Sequence, residues 1–208
     1  MSKYVQHVYI IGAKSIGQYG GFETFVDKLT EYHQNNPRLR YHIACKANGD
    51  GHMDETKLTD PVKRIDSHRF LYHNAECFKI DVPNIGAAQA IYYDLVAFLY
   101  CYREIRKKKI PHPIIYILAC RIGPFMWLLS KLIKKTDGRI FVNPDGHEWM
   151  RGKWSKPVRA YWKWSEKLMI KHADHVVCDS KCIEAYINSR YRIYHPVTSY
   201  IAYGAEVV

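Results

Sequence analysis

Residues 5–26 read VQHVYIIGAKSIGQYGGFETFV, and this stretch decides the fold. Val5–Ile11 is a short, mostly apolar run typical of a buried strand. Glycines follow at positions 12, 17, 20 and 21. From Phe22 to His33 the apolar residues recur with the spacing of an amphipathic helix. The stretch therefore predicts a strand, a glycine-rich turn and a helix, the first half of a βαβ unit.

The rest of the chain repeats this alternation. The predicted strands are Val5–Ile11, Tyr41–Cys45, Arg69–Tyr72, Ile114–Ala119, Ile140–Asn143, His175–Cys178 and Ser199–Tyr203, and the predicted helices are Phe22–His33, Ile85–Lys109, Phe125–Lys135, Pro157–His172 and Lys181–Asn188. Several strands are almost wholly apolar, as expected when both faces of a sheet are covered. The pattern predicts an α/β fold with a Rossmann-like parallel sheet flanked by helices.

The length of 208 residues fits one domain. We assign residues 1–203 to a single Rossmann-like domain. No helix follows the predicted last strand, so we interpret residues 204–208 as the start of an interdomain linker to an absent second domain. A frayed end of a complete domain is the alternative.

Composition and charge exclude some classes of protein. Apolar residues make up 48% and charged residues 25%, which excludes wholesale disorder. The net charge of +11 lies entirely in residues 101–208, with 20 basic and 9 acidic side chains. Such asymmetry favours a polyanionic partner: nucleic acid, a phosphorylated substrate or an anionic membrane. We find no secretory signal, and six scattered cysteines indicate buried, reduced thiols, so we expect a cytoplasmic protein.

The glycine-rich loop is the first candidate site. Glycines at a strand-to-helix turn let backbone N–H groups approach a phosphate. Gln18 and Tyr19 replace the Lys-Ser/Thr of a Walker motif, and Lys14 breaks the dinucleotide fingerprint. A phosphate site near Gly17, Gly20 and Gly21 is the remaining functional interpretation; a tight turn alone is the alternative.

The second candidate site is the segment Asn143–Trp154, which follows a predicted strand. It carries a cluster of polar side chains suited to holding a sugar hydroxyl, moving a proton or binding phosphate: Asp145, His147, Glu148, Arg151 and Lys153. A turn at Asp145-Gly146, with the tryptophans serving only packing, is the alternative.

Basic helices form a third feature. The clusters predicted to face a membrane are Arg106, Lys107, Lys108 and Lys109, and Lys131, Lys134 and Lys135. Pro157–His172 carries a further basic stripe, with Tyr161, Trp164 and Leu168 predicted on its apolar side. Solvated helix faces are the alternative.

We predict no metal site. His172, His175, Cys178 and Cys182 have spacing similar to that of zinc ligands. In a strand, however, His175 and Cys178 point to opposite faces, and Cys182 falls in the next helix.

The loop Gly20–Val26, the segment Asn143–Trp154 and the strand end Asp179-Ser180 together resemble bacterial rhamnosyltransferases of capsular and cell-wall polysaccharide synthesis. These are retaining glycosyltransferases of family four with the GT-B fold. The resemblance covers the N-terminal, acceptor-side half of that architecture. It implies a nucleotide-sugar donor such as dTDP-rhamnose, an acceptor saccharide on undecaprenyl diphosphate, a location on the inner face of the cell membrane, and no metal cofactor.

The resemblance also implies roles for residues. Asp145 and Glu148 would be catalytic and meet the sugars. The residues expected to bind donor diphosphate or substrate are Gly17, Gly20, Gly21, Glu23, His147, Arg151 and Lys153. His147 departs from the apolar residue common in the family. The donor nucleotide would be held mostly by a second domain.

Two other functions remain open. One is a non-catalytic subunit that supplies the acceptor and membrane half to a separate donor-binding chain. The other is a nucleic-acid-binding module, favoured by the charge and an aromatic content of 14% but lacking a recognised binding motif.

Overall fold

The computed structural model describes residues 4–152 and 154–203. Their strands form a nine-stranded, mostly parallel sheet flanked by helices, in the order β3-β4-β5-β2-β1-β6-β7-β8-β9. The strands are β1 Gln6–Ile11, β2 Leu39–Lys46, β3 Lys63–Arg64, β4 Arg69–Tyr72, β5 Ala75–Ile80, β6 Ile114–Leu118, β7 Arg139–Asn143, β8 His175–Cys178 and β9 Thr198–Tyr200. The helices are α1 Gly21–His33, α2 Gln89–Lys108, α3 Met126–Lys134, α4 Lys156–His172 and α5 Lys181–Arg190. The predicted α/β, Rossmann-like class is confirmed.

The chain divides into two compact units, with the boundary after Ile115. In the first unit, β2 lies parallel to both β1 and β5, with Val8 opposite Tyr41 and Ile43 opposite Cys77. The buried centres of these strands form an apolar layer that includes Ile10, Ile43 and Cys77.

One edge of the mostly parallel sheet is antiparallel. β4 and β5 form an antiparallel hairpin, which β3 extends. Its turn residues His73 and Asn74 have φ values of 46° and 59°, the left-handed conformation of a tight hairpin turn. Strand β5 was not predicted because Glu76 and Lys79 interrupt its apolar pattern.

A polar cluster on the first unit's sheet explains that interruption. His42 lies beside Glu76, with 3.6 Å between its Nδ1 and the carboxylate. The hydrogen bond from His42 and the nearby Lys108 and Arg69 hold the pKa of Glu76 down at about 2, against the effect of burial. Farther along β5, Lys79 Nζ lies 2.7 Å from Glu55. The charged residues of β5 are therefore neutralised by tertiary partners.

The second unit contains the parallel strands β7, β8 and β9. Val142 lies opposite Val176, and Val177 opposite Ser199. Pro157 occupies the first turn of α4, where a missing N–H costs nothing. Ser180 caps α5, since its hydroxyl accepts a hydrogen bond from the N–H of Ile183 at 3.1 Å. The predicted linker at residues 204–208 lies outside the described residues.

Among residues 4–152 and 154–203, no helix combines the length and apolar character that crossing a bilayer requires. The longest helix is α2, with 20 residues, and it contains Arg103, Glu104 and Arg106 near its end.

All six cysteines fall in the described part of the chain, and all are free thiols. Five are buried, and Cys182 at the start of α5 is exposed, which differs from the prediction of buried thiols throughout. Burial raises the pKa of Cys77, Cys101 and Cys120 well above the usual range, and that of Cys178 to about 12.

Close approach at Gly123 fixes the position of α4 beside the segment that precedes α3. The N–H of Gly123 donates to Ser165 Oγ at 2.8 Å. A Cβ added at Gly123 would lie 2.2 Å from the backbone oxygen of Ser165. Only glycine therefore fits at this position without moving the helix.

We predict that Gly123→Ala lowers the free energy of unfolding by about 2–3 kcal/mol, because backbone rather than a flexible side chain blocks the new methyl group. Gly21→Ala is the matched control, since nothing lies within 4 Å of its added Cβ. Chemical denaturation of both variants measures the difference. Equal stability of Gly123→Ala and wild type would show that α4 yields freely.

Candidate functional site

The glycine-rich loop of the first unit runs from the end of β1 to the start of α1. Gly17 has a φ of 66°, and a Cβ there would lie 2.4 Å from Leu58 Cδ2. Gly12 also has a positive φ, at 105°. Both glycines are thus required by backbone conformation, and Gly17 by packing as well.

Glu23 folds back over the start of α1. Its Oε1 accepts a hydrogen bond from the N–H of Lys14 at 2.8 Å. A Cβ on Gly20 would lie 2.1 Å from Glu23 Oε2, so Gly20 makes room for this carboxylate, whereas Gly21 borders open space. Glu23 occupies the third helical position, where a carboxylate commonly reaches back to an orphan N–H. It therefore holds the loop's shape, and its predicted contact with substrate stays a prediction.

A buried cation lies next to this loop and was not predicted. Lys46, at the end of β2, is 5% exposed. Its Nζ donates to the backbone oxygen of Asp50 at 2.7 Å and to Gln89 Oε1 at 3.1 Å. Lys14 Nζ lies 2.6 Å from the Asp50 carboxylate. Burial, with a smaller contribution from Lys14, lowers the pKa of Lys46. A lysine directly after the apolar run Ile43-Ala44-Cys45 was the available sequence signal.

In the second unit, Asn143 anchors the other candidate loop. It is buried at the end of β7, and its Nδ2 donates to Tyr203 Oη at 2.8 Å and to Tyr116 Oη at 3.3 Å. Its Oδ1 accepts from the N–H of Asp145 at 2.8 Å. Asp145 has a φ of 59°, a conformation that aspartate and asparagine tolerate better than most residues. The loop after β7 thus begins as a fixed turn.

The surroundings of the Asp145 carboxyl group disfavour its ionised form. Burial, followed by the negative charge of Glu148, raises its pKa, and the charge of Asp179 adds to this. A hydrogen bond from the Gly146 N–H and the charge of Arg151 oppose the shift. A carboxyl group with a raised pKa can accept and return a proton more readily near neutral pH.

Glu148 is buried and engaged on both oxygens. Its Oε1 lies 2.7 Å from Arg151 Nε, and its Oε2 accepts from Trp154 Nε1 at 3.0 Å. Glu148 and Arg151 thus form an ion pair, and the charges of both act on Asp145. Arg151 is half-exposed and can meet an anion, while Glu148 orients it. Lys153, also predicted to bind, lies outside the described residues.

His147 and Trp149 pack against α5. The His147 ring meets Tyr186 edge-on with 4.0 Å between centroids, and Trp149 Nε1 donates to Tyr186 Oη at 3.3 Å. Lys163 and Arg190 each lie 5.1 Å from the Trp149 ring centroid. Cations thus already contact the ring that could have stacked on a sugar.

Buried Glu166 accepts hydrogen bonds from tyrosines of this aromatic cluster. It was not identified from the sequence as a site residue. Its Oε1 accepts hydrogen bonds from Tyr186 Oη, at 2.6 Å, and from Tyr191 Oη. The Tyr186 ring in turn contacts His147, and its hydroxyl accepts from Trp149 Nε1. A charged residue within the apolar stripe of a helix was the only sequence signal.

Across residues 4–152 and 154–203, no group of three or more His, Cys, Asp and Glu side chains could hold a metal ion. Cys178 is buried in β8, and Cys182 is exposed on α5. His175 Nε2 lies 2.7 Å from Ser199 Oγ instead.

The two predicted membrane-facing clusters lie in different units. Arg106, Lys107 and Lys108 end α2, Lys109 directly follows it, and all four are exposed. Lys108 Nζ lies 2.8 Å from Glu104. Lys131, Lys134 and Lys135 are exposed on α3 and just after it. Trp164, predicted on the apolar side of α4, is 53% exposed.

Comparison with known proteins identifies a family. The model of the domain of unknown function DUF1972 matches residues 5–206. The chain therefore belongs to the DUF1972 family. A search of curated proteins found no significant match.

A solved structure shares the fold. The catalytic domain of starch synthase IV from Arabidopsis thaliana, bound to ADP and acarbose, matches 97% of this chain at 10% identity and a TM-score of 0.60. Weaker matches are the α,α-trehalose-6-phosphate synthase of Burkholderia multivorans, with 11% identity, 90% coverage and a TM-score of 0.48, and UGT71G1 of Medicago truncatula complexed with UDP-glucose, with 10%, 97% and 0.44. The chain spans 52%, 43% and 52% of these proteins, respectively. The starch synthase match shows a fold of the GT-B glycosyltransferase type.

We predict that Asp145→Asn changes stability in a pH-dependent way. The raised pKa means that the native state favours protonated Asp145, so this stabilisation is present at low pH and is lost as pH rises through the native pKa. The substituted asparagine would keep the left-handed turn and remove the charge. The stability of the variant relative to wild type should therefore be greater at pH 7 than at pH 3.5.

Asp137→Asn is the matched control, because Asp137 has a similar φ of 52° but lies on an exposed turn. Urea denaturation of both variants at both pH values gives the comparison. A loss of stability in Asp145→Asn that is larger at pH 7 would contradict the assignment.

Proposed function

We propose that this DUF1972 member is the acceptor-side half of a retaining glycosyltransferase. It transfers a sugar, rhamnose from dTDP-rhamnose in our assignment, to a saccharide on undecaprenyl diphosphate. The product belongs to capsular or cell-wall polysaccharide synthesis, and the protein works as a peripheral protein on the inner face of the cell membrane. The proposal includes no metal cofactor.

One observation carries the proposal. On a fold of the glycosyltransferase type, the loop after β7 presents a carboxyl group of raised pKa, Asp145, followed by the ion pair of Glu148 and Arg151. Parallel α/β sheets bind ligands at the carboxyl ends of their strands, which is where this loop lies. Glycosyl transfer from a nucleotide sugar needs a group that binds a sugar hydroxyl and a cation that offsets the negative charge of the leaving diphosphate. The carboxyl group of Asp145 and the guanidinium of Arg151 provide these two groups in our proposal.

Each residue then has a role. Asp145 holds an acceptor or donor hydroxyl by a hydrogen bond to its carboxyl group. Arg151, oriented by Glu148, offsets the negative charge that develops on the leaving diphosphate, and Lys153 adds to it. We assign no protein nucleophile, because the leaving phosphate itself can assist a reaction on one face of the sugar.

The glycine-rich loop supplies a second contact to the donor in this proposal. Gly17, Gly20 and Gly21 give backbone N–H groups access to the diphosphate. Buried Lys46 adds a positive charge beside that loop, and Glu23 maintains its shape.

The donor nucleotide requires more protein than these residues provide. The chain spans about half the length of the solved starch synthase domain. We therefore place most of the nucleotide site in a second domain or in a separate chain that pairs with this one. Co-purification of a second α/β chain would favour the two-chain alternative, in which this chain is a non-catalytic subunit.

We predict that the 208-residue chain alone folds but turns over little dTDP-rhamnose, at least 100-fold less than an assembly that includes the donor-binding part. Release of dTDP in the presence of a lipid-linked acceptor measures turnover. Efficient transfer by the chain alone would show that its donor site is complete.

In the active assembly, we predict that Asp145→Asn lowers transfer at least 100-fold while thermal stability at pH 7 stays at or above that of wild type. Asp137→Asn should retain full activity. If Asp145→Asn kept wild-type activity, Asp145 would serve only as a turn residue, because asparagine fits such a turn nearly as well.

A further inference from the structure

The second unit exposes an apolar surface on α3 and α4. Phe125, Trp127 and Leu128, at the start of α3, are 42%, 58% and 52% exposed, and Trp164 on α4 is 53% exposed. Large apolar side chains exposed as a group mark a site of interaction. We call these four residues the α3–α4 surface.

Two hydrogen bonds hold the segment that precedes α3 against α4. Tyr161 Oη donates to the backbone oxygen of Arg121 at 2.6 Å, and Gly123 N–H donates to Ser165 Oγ. The segment that leads into Phe125 therefore lies against the part of α4 that carries Trp164. The Trp164 ring also meets Tyr161 edge-on, with 6.4 Å between centroids.

The helices that form this surface carry cations and almost no acidic residues. Helix α3 contains no Asp or Glu, and the only acidic residue of α4 is Glu166, which is buried. The basic residues of the two helices are Lys131, Lys134, Lys156, Arg159, Lys163, Lys167 and Lys171. An exposed apolar group on helices of one charge sign fits an anionic, amphipathic partner.

We infer that the α3–α4 surface docks on an anionic lipid bilayer, with its apolar side chains in the headgroup–acyl boundary and its lysines at the lipid phosphates. The inference rests on the membrane location in the proposed function and specifies the surface responsible. Tryptophan is enriched at this depth of a bilayer, and lysine stems can extend from it to the headgroups.

The geometry favours a bilayer over a nucleic acid. Lys131 Nζ lies 3.8 Å from the centroid of the Trp127 ring, so a cation already covers a ring face on which a base would stack. Leu128 offers only aliphatic carbon. Such groups gain from leaving water for lipid and provide no base contact.

The basic end of α2 differs in its surroundings. There, Lys108 Nζ lies 2.8 Å from Glu104 and 3.7 Å from Glu76. These carboxylates offset its charge, so we expect a smaller contribution to docking from this cluster.

Vesicle co-sedimentation tests the inference with the whole chain. Wild type should bind vesicles of phosphatidylglycerol and phosphatidylcholine and bind pure phosphatidylcholine at least tenfold more weakly. The double variant W127Q/L128Q should lose at least tenfold in affinity for anionic vesicles, and the remaining binding should be released by high salt. Tyr32→Gln is the control, since Tyr32 is 85% exposed on α1.

A charge series separates the electrostatic part. K131E/K134E/K135E should weaken binding at least tenfold, R106E/K107E/K109E less, and K57E/K63E in the neutral half of the sequence least. Thermal unfolding of every variant confirms folding. Wild-type binding by W127Q/L128Q, or binding to a single-stranded oligonucleotide in preference to anionic vesicles, would overturn the inference.

The vesicles contain neither donor nor acceptor, so this test is independent of transfer activity. Docking without transfer in the complete assembly would count against the proposed function alone. Transfer to a detergent-solubilised acceptor without vesicle binding would count against the docking surface alone.

Discussion

The candidate loop of the second unit depends on one buried amide, that of Asn143. Its NH2 group bonds two tyrosine hydroxyls, and its oxygen takes the N–H of Asp145. An amide buried at a strand end must satisfy both its donors and its acceptor, so it can adopt only one orientation here. The direction in which the chain leaves β7, and hence the left-handed conformation of Asp145, follows from that orientation.

Beyond this turn, the surroundings of Asp145 determine how readily its carboxyl group ionises. Burial, followed by the negative charge of Glu148, makes Asp145 harder to ionise, and the charge of Arg151 relieves part of that cost. Glu148 itself contacts Arg151 and Trp154, so both of its carboxylate oxygens have partners. The neighbouring carboxyl group of Asp145 instead has a raised pKa. Two carboxyl groups three residues apart thus acquire different chemical characters from their surroundings.

The sequence predicts most elements because apolar periodicity is a local property. Strands β1, β6 and β8 and all five helices follow from it. Strand β5 does not, because Glu76 and Lys79 are tolerated only through partners distant in sequence. In the candidate sites, the polar cluster at Asp145 is visible in the sequence, since its members are adjacent. Lys46 and Glu166 are not, because burial makes them notable. Periodicity also does not tell which apolar side chains, such as Trp164, a neighbouring element leaves exposed.

The cysteines differ in exposure, so thiol-reactive labels have one accessible site. Five thiols are enclosed by the core, and the raised pKa values among them leave almost no thiolate at neutral pH, which is the form that reacts with electrophiles. Cys182 stands alone on the solvent side of α5, two residues after the Ser180 cap. A maleimide dye or spin label would therefore modify the native chain at one defined place without any engineered mutation, and the same exposure makes Cys182 the first thiol to meet an oxidant.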